Sequence, residues 1–336
     1  MSDQAEVLVT GGAGYIGSHC CKALLEAGYH PICYDNFSTG HRSFVTGSLV
    51  TADLQDAAKL AETFAQHNIV AVMHFAASSL VGESVVDPRK YYMNNLAGTL
   101  SLLDAMRNAG CMRLVFSSTG AVYGKADSRA LPESYPCAPI NPYGASKWMI
   151  ERILADYRSA YGLGSFCLRY FNASGADTSG VIGELRDNET HLIPRAMMAL
   201  QGHVSDFAVF GDDYETPDGT AIRDYIHVTD LAAAHVLALK LLMQGHSGGI
   251  YNLGTGAGFS VREILGAIAA ETGREVPYVI RERRAGDPTY LVADPSAARE
   301  TLKFRPVHSD LATIIRTAWV WHQKAHPLKL SEGIQV

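Results

Sequence analysis

The sequence has no excess of basic residues. It contains 28 lysines and arginines against 34 aspartates and glutamates, which gives a formal net charge of -6 at pH 7. Proteins that bind nucleic acid or anionic membranes through their overall charge carry a basic patch, whereas here the basic residues are scattered along the chain. We therefore expect neither nucleic acid nor a membrane as a partner, and any anionic ligand must be held by a local arrangement of groups.

Long apolar runs and metal-binding spacings are also absent. The longest apolar helical pattern, residues 231–243, is shorter than a bilayer requires and contains His235 and Lys240. The six cysteines show no C-x-x-C spacing and lie in or beside apolar segments, so we expect reduced core thiols. The polar residues 1–6 do not have the pattern of a signal peptide, and we expect a cytoplasmic protein.

Short β-branched runs alternate with longer helical patterns in the first half of the sequence. This alternation is typical of βαβ units, and the apolar early strands suit a parallel sheet covered by helices on both faces. Such a sheet brings ligand-binding loops to the carboxyl ends of its strands. The pattern predicts strands at 7–10, 30–35, 69–76 and 113–118, and helices at 15–27 and 91–109.

The alternation loosens after about Phe171, where turn-rich stretches separate the helices. The helices predicted there lie at 193–201, at 231–243 and from Ser260, which forms a capping box with Glu263. We predict an α/β fold with a doubly wound parallel sheet in residues 1–171. A smaller substrate-binding region, interleaved with the first part, is expected mainly in residues 172–336.

A glycine-rich turn follows the first strand, with Gly11, Gly14 and Gly17 at every third position. Without a Cβ these residues permit a tight turn, close approach of a pyrophosphate and close helix packing, while the helix N-terminus supplies N–H donors. Ordinary tight turns produce the same triplet. The second strand, however, ends at Asp35, where a carboxylate would accept hydrogen bonds from a ribose and repel a 2′-phosphate. The pattern therefore predicts a Rossmann-type site for NAD rather than NADP.

Two further strand ends are candidate cofactor contacts. Asp53 follows the apolar residues 49–52 and would lie near the adenine, although an acidic turn residue fits the same pattern. Phe75, Ala76 and Ala77 place mostly small side chains after the next strand, where the backbone either lines the dinucleotide or ends a buried strand.

A helix that begins near Asn141 carries the candidate catalytic pair, Tyr143 and Lys147, four residues apart on one face. A phenol has a pKa of about 10, so it is a poor base at pH 7 unless a cation such as Lys147 or the oxidised nicotinamide favours the phenolate. The same spacing is common on solvated helices. Thr119, at the end of the preceding strand, favours the functional interpretation because its hydroxyl would reach the same substrate oxygen.

These motifs resemble those of the extended short-chain dehydrogenase/reductase family, and within it those of the UDP-sugar 4-epimerases. The similar segments are 11–19, 81–84, 92–95, 117–119, 122–124, 143–147, 168–172, 218–220, 223–228, 251–254 and 283–287. The resemblance implies tightly bound NAD, reversible epimerisation of UDP-glucose and UDP-galactose at C4 through a transient 4-keto sugar, and a homodimer.

The resemblance also implies the roles of individual residues. Tyr143 would take the proton of the 4-hydroxyl, Lys147 would lower the pKa of Tyr143 and hold the nicotinamide ribose, and Thr119 would align the sugar. The predicted cofactor-binding residues are Gly11, Gly14, Tyr15, Ile16, Gly17, Asp35, Asn36, Asp53, Leu54, Phe75, Ala76, Ala77, Asn95, Ser117, Tyr143, Lys147 and Phe171. The predicted substrate-binding residues are Thr119, Tyr143, Asn172, His191, Arg223, Arg284, Asp287 and Leu291.

Several of these assignments have alternatives. Two distant arginines could converge on a diphosphate, but Arg223 could equally pair with Asp224, and Arg283 with Arg284 could form a solvated basic face.

Three positions depart from the family pattern. Ser79 replaces a lysine, His191 stands where asparagine is frequent, and Leu291 occupies a wall position often held by tyrosine or a smaller residue. UDP-xylose or UDP-arabinose is therefore an alternative substrate, and N-acetylated sugars are not predicted. His191 has no partner at ligand spacing, so no metal site is predicted.

The sequence disfavours two alternative functions. A dehydratase needs an acid and a base after the hydroxyl-bearing strand, and here Thr119 is followed by Gly120 and Ala121. A non-catalytic dinucleotide sensor would be expected to lack Tyr143 or Lys147, and both are present.

Overall fold

The computed structural model describes residues 4–284 and 286–327. The strands in these residues are β1 Glu6–Thr10, β2 His30–Asp35, β3 Ser48–Thr51, β4 Ile69–His74, β5 Arg113–Thr119, β6 Ser128–Leu131, β7 Gly164–Tyr170, β8 Asn172–Ser174, β9 Ala208–Phe210, β10 Ile222–His227, β11 Gly248–Leu253, β12 Gly258–Ser260, β13 Val279–Arg281 and β14 Tyr290–Ala293. The α-helices are α1 Tyr15–Glu26, α2 Ala57–Gln66, α3 Val81–Val86, α4 Pro88–Tyr91, α5 Gly98–Asn108, α6 Pro142–Tyr161, α7 Leu192–Leu200, α8 Val228–Met243, α9 Val261–Thr272, α10 Ser296–Thr301 and α11 Leu311–Ala325. Short 3-10 turns lie at Arg42–Phe44 and Gly120–Tyr123, and a π-helical turn at Tyr92–Ala97.

A parallel sheet with the strand order β3-β2-β1-β4-β5-β7-β11 forms the centre of the described residues. Because successive side chains of a strand point to opposite faces, Val7 and Val9 pack with α1 and α8, while Leu8 packs with α2, α5 and α6. The strand order reverses between β1 and β4, which opens a crevice at the carboxyl ends of the strands. The predicted doubly wound α/β fold is confirmed.

A second, mixed sheet has the order β12-β10-β14-β6, with β8 beside β10, and β13 pairs with β9. Its strand β6 comes from the first half of the chain, while β11 of the central sheet comes from the second half. The division at residue 171 stays a prediction, with the two parts exchanging a strand. Among the helices of residues 4–284 and 286–327, none is both long and apolar enough to span a bilayer.

Several predicted elements differ from the observed ones by one to three residues at an end or are interrupted, and for two of them the hydrogen bonds show the reason. The helix predicted at 91–109 is interrupted by the π-helical turn Tyr92–Ala97, from which the buried Asn95 reaches the backbone of Ser78 and the hydroxyl of Ser146. The strand predicted at 69–76 ends at His74, because the N–H groups of Phe75 and Ala76 both donate to the carbonyl of Thr10 and turn the chain. The predicted capping box of Ser260 and Glu263 is present.

Candidate active site

A cleft of about 1520 Å³ runs along the carboxyl edge of the central sheet and is bounded on its other side by the second sheet. All of the predicted site residues line it except Asn95. We call the lining residues at the ends of β1, β2, β4 and β5 the cofactor wall: Gly11, Gly14, Tyr15, Ile16, Gly17, Asp35, Asn36, Phe75, Ala76, Ala77, Ser117 and Thr119. We call the opposite lining the substrate wall: Asn172, His191, Arg223, Arg284, Asp287 and Leu291.

The glycine-rich turn forms one end of the cofactor wall. Gly11 has a φ of 71°, and a Cβ on it would lie 2.6 Å from the backbone nitrogen of Ala76. A Cβ on Gly17 would lie 2.1 Å from the carbonyl oxygen of Gly11, so α1 could not pack against the turn. Gly14 caps α1 without a side-chain hydrogen bond, which leaves the N–H donors at the start of the helix to an anionic ligand.

Asp35 ends β2 inside the cleft and is nearly buried. Its carboxylate accepts hydrogen bonds from the N–H of Ala13 at 3.0 Å and of Phe37 at 2.8 Å. Phe37 has a φ of 57°, which turns the chain sharply after the strand. A negative charge fixed at this point suits a ribose diol and opposes a 2′-phosphate, so the wall fits NAD.

Asp53, predicted as an adenine contact or a turn residue, is a turn residue that lines the cleft, and its contact with adenine stays a prediction. Its carboxylate accepts from the N–H of Gln55 at 2.8 Å and from the Asn36 amide at 2.7 Å. The same residue, together with Leu54, lines the cleft beside the end of β2. Asn95, in contrast, supports the cofactor wall from behind, because its amide is bonded to Ser78 and Ser146 and is buried.

Tyr143, Thr119 and Lys147 all line the cleft. The side chain of Asn141 caps α6 and fixes its first turn. Burial raises the pKa of Tyr143, while a hydrogen bond from Thr119 and the charge of Arg186 lower it. This hydroxyl pair can hold a substrate oxygen and move its proton.

Lys147 is buried beneath the cofactor wall, where its Nζ donates to the carbonyl of Ser117 at 2.8 Å. Burial lowers the pKa of Lys147 to about 7, and the charge of Glu151, one helical turn further on, opposes this shift. The predicted effect of Lys147 on the pKa of Tyr143 stays a prediction. The contributions that lower that pKa here come from Thr119 and Arg186.

The contacts of Arg223 and Asp224 show whether these two neighbours form an ion pair. Asp224 is buried and accepts from the N–H groups of Thr255, Gly256 and Ala293, whereas an Nη of Arg223 lies 3.8 Å from Asp287. The suggested pair of Arg223 with Asp224 is therefore wrong.

Arg283 and Arg284 also differ in their surroundings. Arg283 pairs with the exposed Asp213 at 2.6 Å, while the Arg284 guanidinium lies 4.0 Å from the ring centre of Phe210 and lines the cleft. Both arginines are exposed, so the suggestion of a solvated basic face stays open for the pair, while Arg284 also lines the cleft.

His191 caps α7 beside two buried carboxylates. Its Nδ1 lies 2.8 Å from Glu184 and 3.2 Å from Glu189, and the ligand atoms of the three residues all lie within 4.8 Å of one another. The expectation that His191 lacks a carboxylate partner is wrong, because the turn between β8 and α7 folds back on itself. The charge of Glu184 raises the pKa of His191 well above its usual value, so the protonated ring is paired with both carboxylates when no cation is bound. The predicted absence of a metal stays a prediction.

Comparison with known proteins places the chain in a family. Residues 7–254 match the model of the NAD dependent epimerase/dehydratase family. The chain belongs to this family.

Individual relatives match almost the full length of the chain. The UDP-glucose 4-epimerase of Rhizobium leguminosarum bv. trifolii is 51% identical over 95% of this chain and 98% of its own. The crystal structure of UDP-glucose 4-epimerase from Brucella ovis in complex with NAD superposes with a TM-score of 0.92 at 57% identity, covering 94% of this chain and 97% of that one. A UDP-glucose-4-epimerase from Stenotrophomonas maltophila, with bound NAD and formylated UDP-arabinopyranose, gives a TM-score of 0.93 at 41% identity over 96% and 98% of the two chains. The predicted family and NAD as the cofactor are confirmed.

Several lining residues of this family member were not predicted from the sequence. They are Phe37 after β2, Tyr170 at the end of β7, and Glu184, Arg186 and Glu189 between β8 and α7. Tyr170 is hydrogen-bonded to the hydroxyl of Ser117, and it could have been suspected because β7 is the neighbour of β5. The other residues lie in turns without periodic sequence, where no pattern indicates which side chains face the cleft.

Proposed function

We propose that this protein interconverts UDP-glucose and UDP-galactose by reversible epimerisation at C4, with NAD held in the cofactor wall. The observation that carries the proposal is that the hydroxyls of Tyr143 and Thr119 line the same cleft as the glycine-rich turn, with the Lys147 ammonium bonded to Ser117 beside them. A binding protein without catalysis has no need of a phenol placed in this way, so the sensor alternative is not supported.

NAD, when bound, supplies a hydride acceptor for C4 of the sugar and the same hydride for its return. The residues of the chain manage the proton. Tyr143, with its hydroxyl beside Thr119, removes the proton of the 4-hydroxyl and gives it back to the same oxygen after the sugar has presented its other face. Lys147 holds the carbonyl of Ser117 at the bottom of the cleft, which fixes the end of β5 and hence the position of Thr119.

The substrate wall suits a nucleoside diphosphate sugar. Arg223 and Arg284 bring two guanidinium groups to the cleft from β10 and from the segment before β14, and such groups form forked hydrogen bonds with phosphates. Leu291 pairs with Arg223 between β14 and β10, so an apolar side chain adjoins the place where the diphosphate would bind. We assign Asn172 and His191 to the sugar end of the same ligand.

A UDP-pentose is the second candidate substrate. The related enzyme from Stenotrophomonas maltophila was crystallised with formylated UDP-arabinopyranose, which is a pentose derivative. Leu291 would adjoin a hexose more closely than a pentose because a pentose lacks C6. Relative rates with the two sugar classes therefore decide between the candidates.

The deciding experiment is to incubate the purified protein separately with UDP-galactose, UDP-glucose, UDP-xylose, UDP-arabinose and UDP-N-acetylglucosamine, without added cofactor. We expect conversion of the first two to each other, detected by chromatography of the products, with little conversion of the N-acetylated sugar. Faster conversion of the pentoses would transfer the assignment to them. No conversion of any sugar by folded, NAD-loaded protein would contradict an epimerase.

We also propose that the enzyme is a homodimer. Met93, Leu100 and Met149 are more than one third exposed and lie on neighbouring segments, the π-helical turn, α5 and α6. A second copy that covers these side chains would remove apolar surface from water. Light scattering should give twice the chain mass, and Leu100→Glu should give the monomer, whereas Leu25→Glu on α1 should not. The cytoplasmic location stays a prediction.

A further inference from the structure

The turn between β8 and α7, residues 175–191, crosses the mouth of the cleft and is held at both sides. We call it the crossing segment. On one side the hydroxyl of Tyr15 donates to the carbonyl of Gly175 at 2.6 Å, and Lys22 pairs with Asp177 at 3.0 Å. On the other side the indole of Trp321 in α11 donates to the carbonyl of Glu184 at 2.7 Å. The fold therefore fixes the position of any side chain that this segment directs at the cleft.

Arg186 is the arginine of the crossing segment, and it lines the cleft. Its Nε donates to Glu184 at 2.9 Å, and an Nη lies 3.4 Å from the hydroxyl of Ser79, in the loop that follows β4. The side chain is only one quarter exposed. A partly desolvated guanidinium in this position interacts strongly with charges that enter the cleft.

The charge of Arg186 acts on both functional parts of the cleft. Burial raises the pKa of Tyr15, in the first turn of α1, and that of Tyr143, and in both cases the charge of Arg186 opposes the rise. Arg186 is therefore close enough to influence the anion site of the glycine-rich turn and the proton-transferring hydroxyl at the same time.

The hydrogen-bonding capacity of Arg186 is not exhausted by protein. A guanidinium has five N–H donors, and two of them have partners among residues 4–284 and 286–327. The carboxylate of Glu184 is shared with the protonated His191, so it does not neutralise Arg186 alone. Donors and positive charge both remain for an anionic ligand.

We propose that Arg186 is a diphosphate-binding residue of the cleft and that its main ligand is the diphosphate of the bound dinucleotide. Its contact with Ser79, in the loop that follows β4, and the bond of Tyr15 to Gly175 of the same segment place it on the cofactor side. Arg186 and Tyr143 line the same cleft, so we expect the positive charge of Arg186 also to position the phenol for proton transfer. The inference rests on the NAD-dependent function proposed above.

The test compares Arg186→Gln with Arg186→Lys and with the control Arg152→Gln, which changes an exposed arginine of α6. NAD content is measured after purification, and the dissociation constant for NAD is measured by titration of protein stripped of nucleotide, without any sugar. We expect Arg186→Gln to weaken NAD binding on the order of tenfold to a hundredfold, as for loss of a charged hydrogen bond. Arg186→Lys should recover part of the loss, and Arg152→Gln should bind like the unchanged protein.

The substrate arm and the pH arm use the NAD-saturated variants. The groups around Tyr143 are the hydroxyl of Thr119, the ring of Tyr91 at 6.5 Å, the phenol of Tyr170 and the charge of Arg186, while Lys147 lines the same cleft. Removing one positive charge should move the acid limb of the kcat profile to higher pH.

A raised KM for the UDP-sugar with unchanged NAD binding would assign Arg186 to the substrate diphosphate and overturn the cofactor assignment. Unchanged NAD binding, KM and pH profile would overturn the proposal altogether. The binding arm needs no turnover, so it remains decisive even if none of the tested sugars is converted. If Arg186→Gln does not fold, Arg186→Lys decides the binding arm, because it keeps the charge and removes the fork.

Discussion

The cofactor wall collects its side chains from the ends of consecutive strands of one sheet, while the substrate wall collects them from β8, α7, β10, β14 and the segment before β14. In the cofactor wall the short sequence Gly11–Gly17 contains most of the anion site, and backbone groups provide its donors. In the substrate wall each element contributes one or two side chains, such as Asn172 or Leu291, to a single ligand. The anion site of the first wall is a local property of the chain, whereas the second wall exists only after folding.

The difference between the two walls predicts which property a substitution should change. Changes in the cofactor wall should alter NAD retention first, because the backbone there is shaped for one ligand. Changes at Tyr143, which belongs to neither wall, should alter turnover while NAD stays bound.

The largest effect is expected from Tyr143→Phe. The ring keeps its packing, but the proton acceptor is lost, so kcat should fall about 10²- to 10⁴-fold, while NAD content stays the same. Steady-state assays with UDP-galactose measure the loss, and Tyr161→Phe, at the exposed end of α6, is the matched control. Full turnover by Tyr143→Phe would contradict the proton-transfer assignment.

Gly17→Ala should have the opposite effect to Tyr143→Phe, because it should reduce NAD retention. The added Cβ would lie 2.1 Å from the Gly11 carbonyl, so α1 must move away from the turn at a cost of about 1–3 kcal/mol. We expect a lower melting temperature and loss of bound NAD. Gly266→Ala places the same methyl group in α9 with no atom within 4 Å, and it should stabilise the helix by about 1 kcal/mol. Equal behaviour of the two variants would show that the turn does not need its glycine.

Asp35→Ala should weaken NAD binding about tenfold to a hundredfold and reduce the preference for NAD over NADP. The physical reason is that the carboxylate held by Ala13 and Phe37 is the negative charge at the end of β2. Titration of nucleotide-free protein with both dinucleotides measures the change, and Asp156→Ala on the exposed side of α6 is the control. An unchanged NAD to NADP ratio would show that another group selects the cofactor.

The smallest effect concerns stability in acid. Burial lowers the pKa of His235 to about 4 from its ordinary 6.5, so between these values the unfolded chain binds a proton that the folded chain does not. The free energy of unfolding therefore falls as the pH falls from 6.5 to 4, by up to about 1.4 kcal/mol per pH unit for this residue.

His235→Phe should flatten that slope. Within the described residues the Nε2 of His235 has no hydrogen-bond partner, and the ring packs 4.8 Å from Phe75, so phenylalanine suits the site. Urea unfolding at pH 7 and pH 5 measures the slope, with the exposed His246→Phe as control. A slope that does not change would place the acid sensitivity elsewhere, for example at the buried His74, whose pKa is lowered to about 3.

Sequence reasoning succeeded where a residue's role depends on its near neighbours. The strand His30–Asp35 and the capping box of Ser260 were predicted as they are observed. The prediction of one helix over 91–109 was wrong, because no sequence pattern indicates a π-helical turn that depends on the distant contact of Asn95 with Ser78. Arg186 was not predicted either, because the sequence of a turn does not distinguish an exposed arginine from one that lines a site.

The sequence by itself determined the glycine-rich turn, the charge at the end of β2 and the Tyr143–Lys147 spacing, since each depends on backbone geometry over a few residues. Only the tertiary structure decided that Arg223 approaches Asp287 rather than Asp224, and that Glu184 and Glu189 surround His191. The physical reason is that an ion pair depends on the distance between two charges in space and not on their separation along the chain. The crossing segment and the second sheet set those distances through contacts far apart in the chain.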